Sequence, residues 1–242
     1  FITYETPFAP AGGVAAVMGQ LPLHVSRASG LKTIVITPFH RKIKTTTSLR
    51  SKDCGAVRVQ VGDEILKVRL RRYNTEIPWY FLEPLSTKYF NGSPNPYLVG
   101  NSSTEIAKNL CRDALVFGSA AIEALAKIAP MAEWILMLQD WEAATAALAH
   151  SRRRDSWKLY LTLHNSYDTP VTDQELIKHG ISPTDNSGFT VLDRTLRHLQ
   201  HTIFTVSDQF AQDLTEDDFQ CEVMAGHLKQ QLQSRLQGVN NG

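Results

Sequence analysis

The 242-residue sequence predicts an α/β fold with a mainly parallel sheet. Two observations carry that expectation: short β-branched apolar runs alternate with stretches of helical period, and each run ends on a polar or turn residue. A hydrophobic share of 43% against 20% charged adds that one chain of this length can bury a full core as a single unit.

Taken in order, buried strands are expected at Phe1–Tyr4, Thr33–Thr37, Ile135–Leu138, Leu159–Leu163 and Thr202–Val206. Helical spacing marks Val14–Ala28. Val57–Val61 and Ile65–Leu70 alternate on either side of Gly62-Asp63, the pattern of a β-hairpin, so an antiparallel insert is expected beside the parallel strands. The Ala-rich stretch Thr104–Ile128 starts behind Ser102-Ser103, whose hydroxyls suit a helix cap, and is the clearest helix. Trp141–His150 is a further one. Arg152-Arg153-Arg154-Asp155 reads as a solvated connection, and Ser166–Asn186, with its Pro, Asp and Gly, as a surface excursion holding a short helix at Asp173–His179. Glu216-Asp217-Asp218 reads as an acidic, solvated turn, and the Gln- and Leu-rich tail Gly226–Gln237 as a helix. Strands joined by crossover helices make βαβ units, hence a three-layer Rossmann-like domain whose ligands gather at the strand C-terminal ends.

Composition excludes several classes. With 25 basic and 24 acidic side chains there is no electrostatic case for nucleic acid or an anionic membrane. No apolar run approaches the ~18 residues that span a bilayer. Cys54, Cys111 and Cys221 are odd in number and lack CxxC spacing, which argues against a disulfide framework and a structural zinc site and fits a reducing, cytoplasmic setting. There is no HExxH, no metal-ligand cluster, no GxSxG and no GxGxxG, so neither a metal nor NAD is expected.

What remains points to strand ends. Gly12-Gly13 lies between an apolar strand and a helix start; without a Cβ the backbone approaches a ligand closely, and the N–H groups of the following helix favour an anion such as phosphate. His164 ends the apolar run Leu159–Leu163, where an imidazole faces a cleft with its pKa open to its neighbours. Asp140 lies between a strand and a helix, so it suits both an N-cap and a contact to sugar hydroxyls. Trp141 beside it offers a flat face of the kind on which sugars stack, or a core side chain. Tyr97, in a Pro-Asn-Pro loop, is an exposed aromatic with few structural reasons to be there. Asn165 suits a loop-holding role.

Seven short motifs follow one another along the chain: Gly12-Gly13-Val14, Asn95-Pro96-Tyr97, Asn109-Leu110-Cys111-Arg112, Gln139-Asp140-Trp141, Thr162-Leu163-His164-Asn165, Thr205-Val206-Ser207 and Gly238-Val239-Asn240-Asn241-Gly242. Their order and spacing resemble the glycogen and starch synthases, glucosyltransferases with two Rossmann-like domains facing each other across a cleft. The resemblance runs over the whole chain. It implies one domain over residues 1–242, the N-terminal, acceptor-side half of a GT-B fold, with the nucleotide-sugar-binding C-terminal domain outside this chain; Phe1 as the opening residue fits a piece of a longer protein. It implies ADP-glucose or UDP-glucose as a substrate rather than a cofactor, an α-1,4-glucan as acceptor, and a retaining transfer without a metal. For the residues, it implies that His164 faces the donor sugar and acts with Asp140 in catalysis. Gly12 and Gly13 lie near the phosphates on the same grounds, and Tyr97, Trp141, Asn165 and Asn241 around the cleft.

Two positions depart from the family pattern. Pro10 stands where the Lys of Lys-X-Gly-Gly-Leu belongs, a missing charge-assisted contact worth roughly 1.5–3 kcal/mol. Gln139 stands for the His of His-Asp-Trp, keeping hydrogen bonds but no titratable proton. These departures leave open a divergent donor or acceptor, and a non-catalytic glucan-binding or regulatory module.

Overall fold

The computed structural model describes residues 1–46, 49–151, 153, 155–183 and 188–240. The strands are β1 (Ile2–Thr3), β2 (Val35–Pro38), β3 (Lys52–Val61), β4 (Glu64–Tyr73), β5 (Trp79–Pro84), β6 (Ile135–Gln139), β7 (Lys158–Leu163), β8 (Ile203–Thr205) and β9 (Leu236–Gly238). The helices are α1 (Gly13–Ser29), α2 (Arg41–Thr46), α3 (Ser103–Ile128), α4 (Asp140–His150), α5 (Asp173–Lys178), α6 (Val191–His198), α7 (Asp208–Thr215), α8 (Asp218–Ala225) and α9 (Lys229–Leu232).

The strands form one sheet in the order β3-β4-β5-β2-β1-β6-β7-β8-β9. All neighbours are parallel except β3 with β4 and β4 with β5, so the α/β fold read from the sequence is the fold observed. β1 is the centre: the chain first builds outward through β2, then returns along α3 to place β6 on β1's other side. Such a reversal opens a crevice at the carboxyl ends of the two strands, where open α/β sheets bind ligands.

Strand side chains alternate between two faces, which makes the layers. Ile2, Ile36, Leu82 and Leu138 enter one core with Leu115 and Phe117 of α3, Leu148 of α4 and Leu196 of α6. Val35, Trp79 and Phe81 enter the other with Val14 and Met18 of α1 and Ile43 of α2. Helices α3 and α4 pack at Gly118, where a Cβ would lie 2.4 Å from Thr145 Oγ1; Thr145 in turn donates to the Ala114 carbonyl at 2.8 Å. Only glycine permits this approach, and the approach sets where the N-terminus of α4 points.

The expected cap of α3 is present, with Ser102 Oγ accepting from Glu105 N at 3.2 Å. The hairpin turns at Gly62, whose φ is 63°, and both its strands run longer than expected. Three readings need correction. The tail Gly226–Gln237 is not one helix: a 3-10 turn at Gly226–Leu228 and the short α9 give way to β9, because Leu236, Gln237 and Gly238 pair with Ile203, Phe204 and Thr205 of β8. The acidic turn is a helix start, with Asp217 capping α8 through Gln220 N at 2.8 Å and Asp218 bonded to Lys229 at 2.6 Å. Arg153 is anchored as well as solvated: it pairs with Asp155 and Glu123 and lies 5.3 Å over the Trp157 ring; Arg152 and Arg154 lie outside the described residues. The short helix in the surface excursion is α5, closed by a capping box between Thr172 and Glu175. Among the described residues, no helix is long and apolar enough to cross a membrane.

Candidate functional site

The carboxyl ends of β1, β6 and β7 meet at one cavity of about 720 Å³. Of the residues picked from sequence, Gly12, Gly13, Tyr97, Trp141, His164 and Asn165 line it together. Asp140 stands behind the wall, and Asn241 lies outside the described residues. Glu5, Asn95, Glu142 and Asp168 also line it, and sequence reasoning singled out none of these four as a site residue.

Glu5 organises the glycine loop. It lies two residues past β1 and is buried, and its Oε1 accepts from the backbone N–H groups of Ala11 (3.0 Å), Gly12 (2.5 Å) and Ala15 (3.2 Å). Its Oε2 accepts from the Tyr97 hydroxyl at 3.2 Å. The anion expected at the loop is therefore partly internal: Glu5 takes these three donors, and the N–H groups of Gly13 and Val14, at the start of α1, are the ones without a partner among the described residues. A Cβ on Gly13 would meet nothing within 4 Å, and one on Gly12 would meet only the Glu5 carboxylate, at 3.5 Å. The chain's own packing does not require these glycines. Pro10 is exposed, and a cation reaches the loop from elsewhere, since Lys42 of α2 donates to the Pro10 carbonyl at 3.2 Å.

Tyr97 is not the exposed aromatic expected from its loop. It is half-buried, stacked on Tyr4 at 5.7 Å between ring centres, with its phenol pushed up by burial and then by Glu142 and Glu5. Trp141 is both core and cavity wall, 4% exposed.

At the end of β6 the backbone turns sharply, with Asp140 at φ 61°, a left-handed conformation uncommon for a non-glycine residue. Asp140 does not cap α4; Gln139 holds the capping position and makes no side-chain cap bond. The Asp140 carboxylate instead ties down the end of β7, Oδ1 accepting from His164 N at 2.6 Å and Oδ2 from Asn165 Nδ2 at 3.2 Å. Burial raises its pKa to about 7, against the lowering effect of those hydrogen bonds. Asn165 spends its other end on Tyr167 N at 2.9 Å, so it holds the loop while lining the cavity.

The His164 ring is held by Gln139, Oε1 to Nε2 at 2.8 Å. An amide oxygen accepts only, so Nε2 carries the ring's hydrogen and Nδ1 keeps a lone pair. Burial lowers the His164 pKa to about 4, so the imidazole is neutral near pH 7 and acts as a hydrogen-bond group rather than a charge. Glu142 is shifted the opposite way, well above the carboxylate range, by burial first and Asp140 second.

The strand-end cavity, the glycine loop and the His-Asn strand end thus fall in one place, and comparison with known proteins gives the chain's family. The sequence profile of the starch synthase catalytic domain matches residues 1–230. The chain belongs to that family. It is 27% identical over 193 residues to a glycogen synthase of Geotalea daltonii, covering 76% of this chain and 38% of that protein. It is 25% identical over 256 residues to a glycogen synthase of Elusimicrobium minutum, covering 98% and 50%. The catalytic domain of starch synthase IV from Arabidopsis thaliana, solved bound to ADP and acarbose, shares the fold with a TM-score of 0.74 at 19% identity, over 100% of this chain and 50% of that one. The chain thus spans half or less of the length of these relatives. The two positions read from the sequence as departures have these surroundings: Lys42 reaches the Pro10 carbonyl, and Gln139 holds His164.

Proposed function

We propose that this chain is the N-terminal, acceptor-side domain of a retaining glucosyltransferase that moves glucose from ADP-glucose or UDP-glucose to the end of an α-1,4-glucan, working with a C-terminal nucleotide-sugar domain outside the chain. One observation carries the reading: in a chain of this family, a neutral His164 held by Gln139 faces the same cavity as the glycine loop and Trp141. The binding of ADP and acarbose by the starch synthase IV neighbour supports a nucleotide-sugar and a glucan as ligands. In this reading the Gly13 and Val14 N–H groups at the start of α1 meet part of the donor diphosphate. His164 accepts a hydrogen bond from a hydroxyl of the donor glucose and so positions its anomeric carbon. Asp140 keeps His164 and Asn165 in place, and Tyr97 and Asn241 border the cleft. No metal takes part, the leaving charge falling to backbone N–H groups and to basic side chains chiefly of the C-terminal domain. The partners are the sugar nucleotide, the glucan and the C-terminal domain, with neither nucleic acid nor membrane, and the setting is the cytoplasm.

A second reading, a divergent donor or acceptor or a non-catalytic glucan-binding or regulatory module, is favoured by the lack of Lys and Arg among the described residues lining the cavity. Release of nucleoside diphosphate by the full-length protein, from each sugar nucleotide with and without a maltooligosaccharide primer, separates the two. Primer-dependent release supports the first; glucan binding without release supports the second.

A further inference from the structure

Four carboxyl groups gather around the cavity, and three of them are spent on the protein itself. Glu5 holds the glycine loop and Tyr97. Asp140 holds His164 and Asn165. Asp168 accepts from Thr169 N at 2.8 Å and Leu192 N at 3.0 Å and pairs with His227 at 3.0 Å. Glu142 differs. It lies in the first turn of α4, is 4% exposed and lines the cavity, and among the described residues no other residue bonds to its carboxyl group.

A buried carboxyl without a partner costs stability that an apolar side chain of the same size would not. No Lys or Arg among the described cavity-lining residues offsets it, and the charges named around it, Asp140, Glu5 and Asp168, are of its own sign. Burial and those like charges favour the neutral acid over the carboxylate, a form that carries an O–H donor beside its acceptor oxygens. A sugar hydroxyl, which also both donates and accepts, is its complement.

Resting on the carbohydrate reading of this cleft, we propose that Glu142 is a ligand-contacting residue that exchanges hydrogen bonds with a hydroxyl of the bound sugar, beside Trp141 and His164.

The test uses the full-length protein with Glu142→Gln, Glu142→Leu and Glu142→Ala, reading maltoheptaose affinity, kcat and KM for nucleoside diphosphate release, and the melting temperature. Gln keeps a donor and an acceptor, so it stays within about threefold of the parent, while Leu and Ala weaken maltoheptaose binding or raise KM by about tenfold or more. Leu melts no lower than the parent; Ala covers the case in which Leu does not fit. Leu or Ala within threefold of the parent in both binding and turnover overturns the proposal, as does Gln impaired as much as they are. A parent that neither binds maltoheptaose nor releases diphosphate overturns the functional reading, and this inference with it.

Discussion

Gln139 and His164 face each other across the ends of β6 and β7, with the amide oxygen of the first 2.8 Å from Nε2 of the second. The contact sets the tautomer of a neutral ring and its angle to the cavity, a positioning role that needs no proton on Gln139. Gln139→Leu removes the acceptor and frees the ring. Turnover of the full-length protein is expected to fall about tenfold, with KM changed less than kcat, as for loss of one orienting hydrogen bond. Steady-state kinetics of the variant check this.

Glu5 carries a structural load out of proportion to its single side chain. Three backbone N–H groups and the Tyr97 hydroxyl converge on it, and Glu5→Ala leaves the buried Ala15 N–H without its acceptor. A loss of about 3 kcal/mol or more in unfolding free energy is expected, with Glu5→Gln in between. Urea denaturation measures it.

Gly118→Ala tests the seating of α4. The added Cβ would stand 2.4 Å from Thr145 Oγ1 and 2.5 Å from the Thr145 carbonyl carbon, so the two helices must part. Overpacking of this kind costs about 3 kcal/mol, a fall in Tm on the order of 10 °C for a chain of this size. Calorimetry reads the shift directly.

Strands β1, β2, β6, β7 and β8 and helix α3 are legible because their signals are local. A strand buried on both faces is a short apolar run, and α3 has a serine cap and a long Ala-rich body. β5 was missed because Trp79, Tyr80, Phe81 and Leu82 show no alternation and Pro78 and Pro84 bracket them; its partners β2 and β4 decide its fate, and they are remote in sequence. Helical spacing of Leu228 and Leu232 makes the tail look like one helix, whereas pairing with β8 governs Leu236. In the cavity, the glycine loop, Trp141 and His164 were visible because they sit at ends of readable strands. Glu5 left one signal, an acidic residue between a strand and a loop rich in unsatisfied N–H groups. Glu142 left none, since a glutamate in the first helical turn is the ordinary complement to the helix dipole.

His40 makes the fold sensitive to acid. It is fully buried, its Nε2 donating to the Tyr4 carbonyl at 2.7 Å, and burial lowers its pKa to about 4 from 6.5. The unfolded chain binds this proton first, so the stability His40 contributes is complete above about pH 6.5 and is lost as pH falls toward 4. His40→Gln is expected to flatten the stability profile between those values, removing up to about 1.4 kcal/mol per pH unit of slope near pH 5. Denaturation midpoints of parent and variant across pH 4–7 check it, and an unchanged difference across that window counts against it.

The central claim is that the cavity at the ends of β1, β6 and β7 holds the reacting sugar, with His164 on it. The most direct measurement is primer-dependent release of nucleoside diphosphate by full-length parent and His164→Ala, each shown to be folded. A parent that releases diphosphate only with primer, and a variant at least about tenfold slower, is the result this account predicts. A variant as fast as the parent would contradict it.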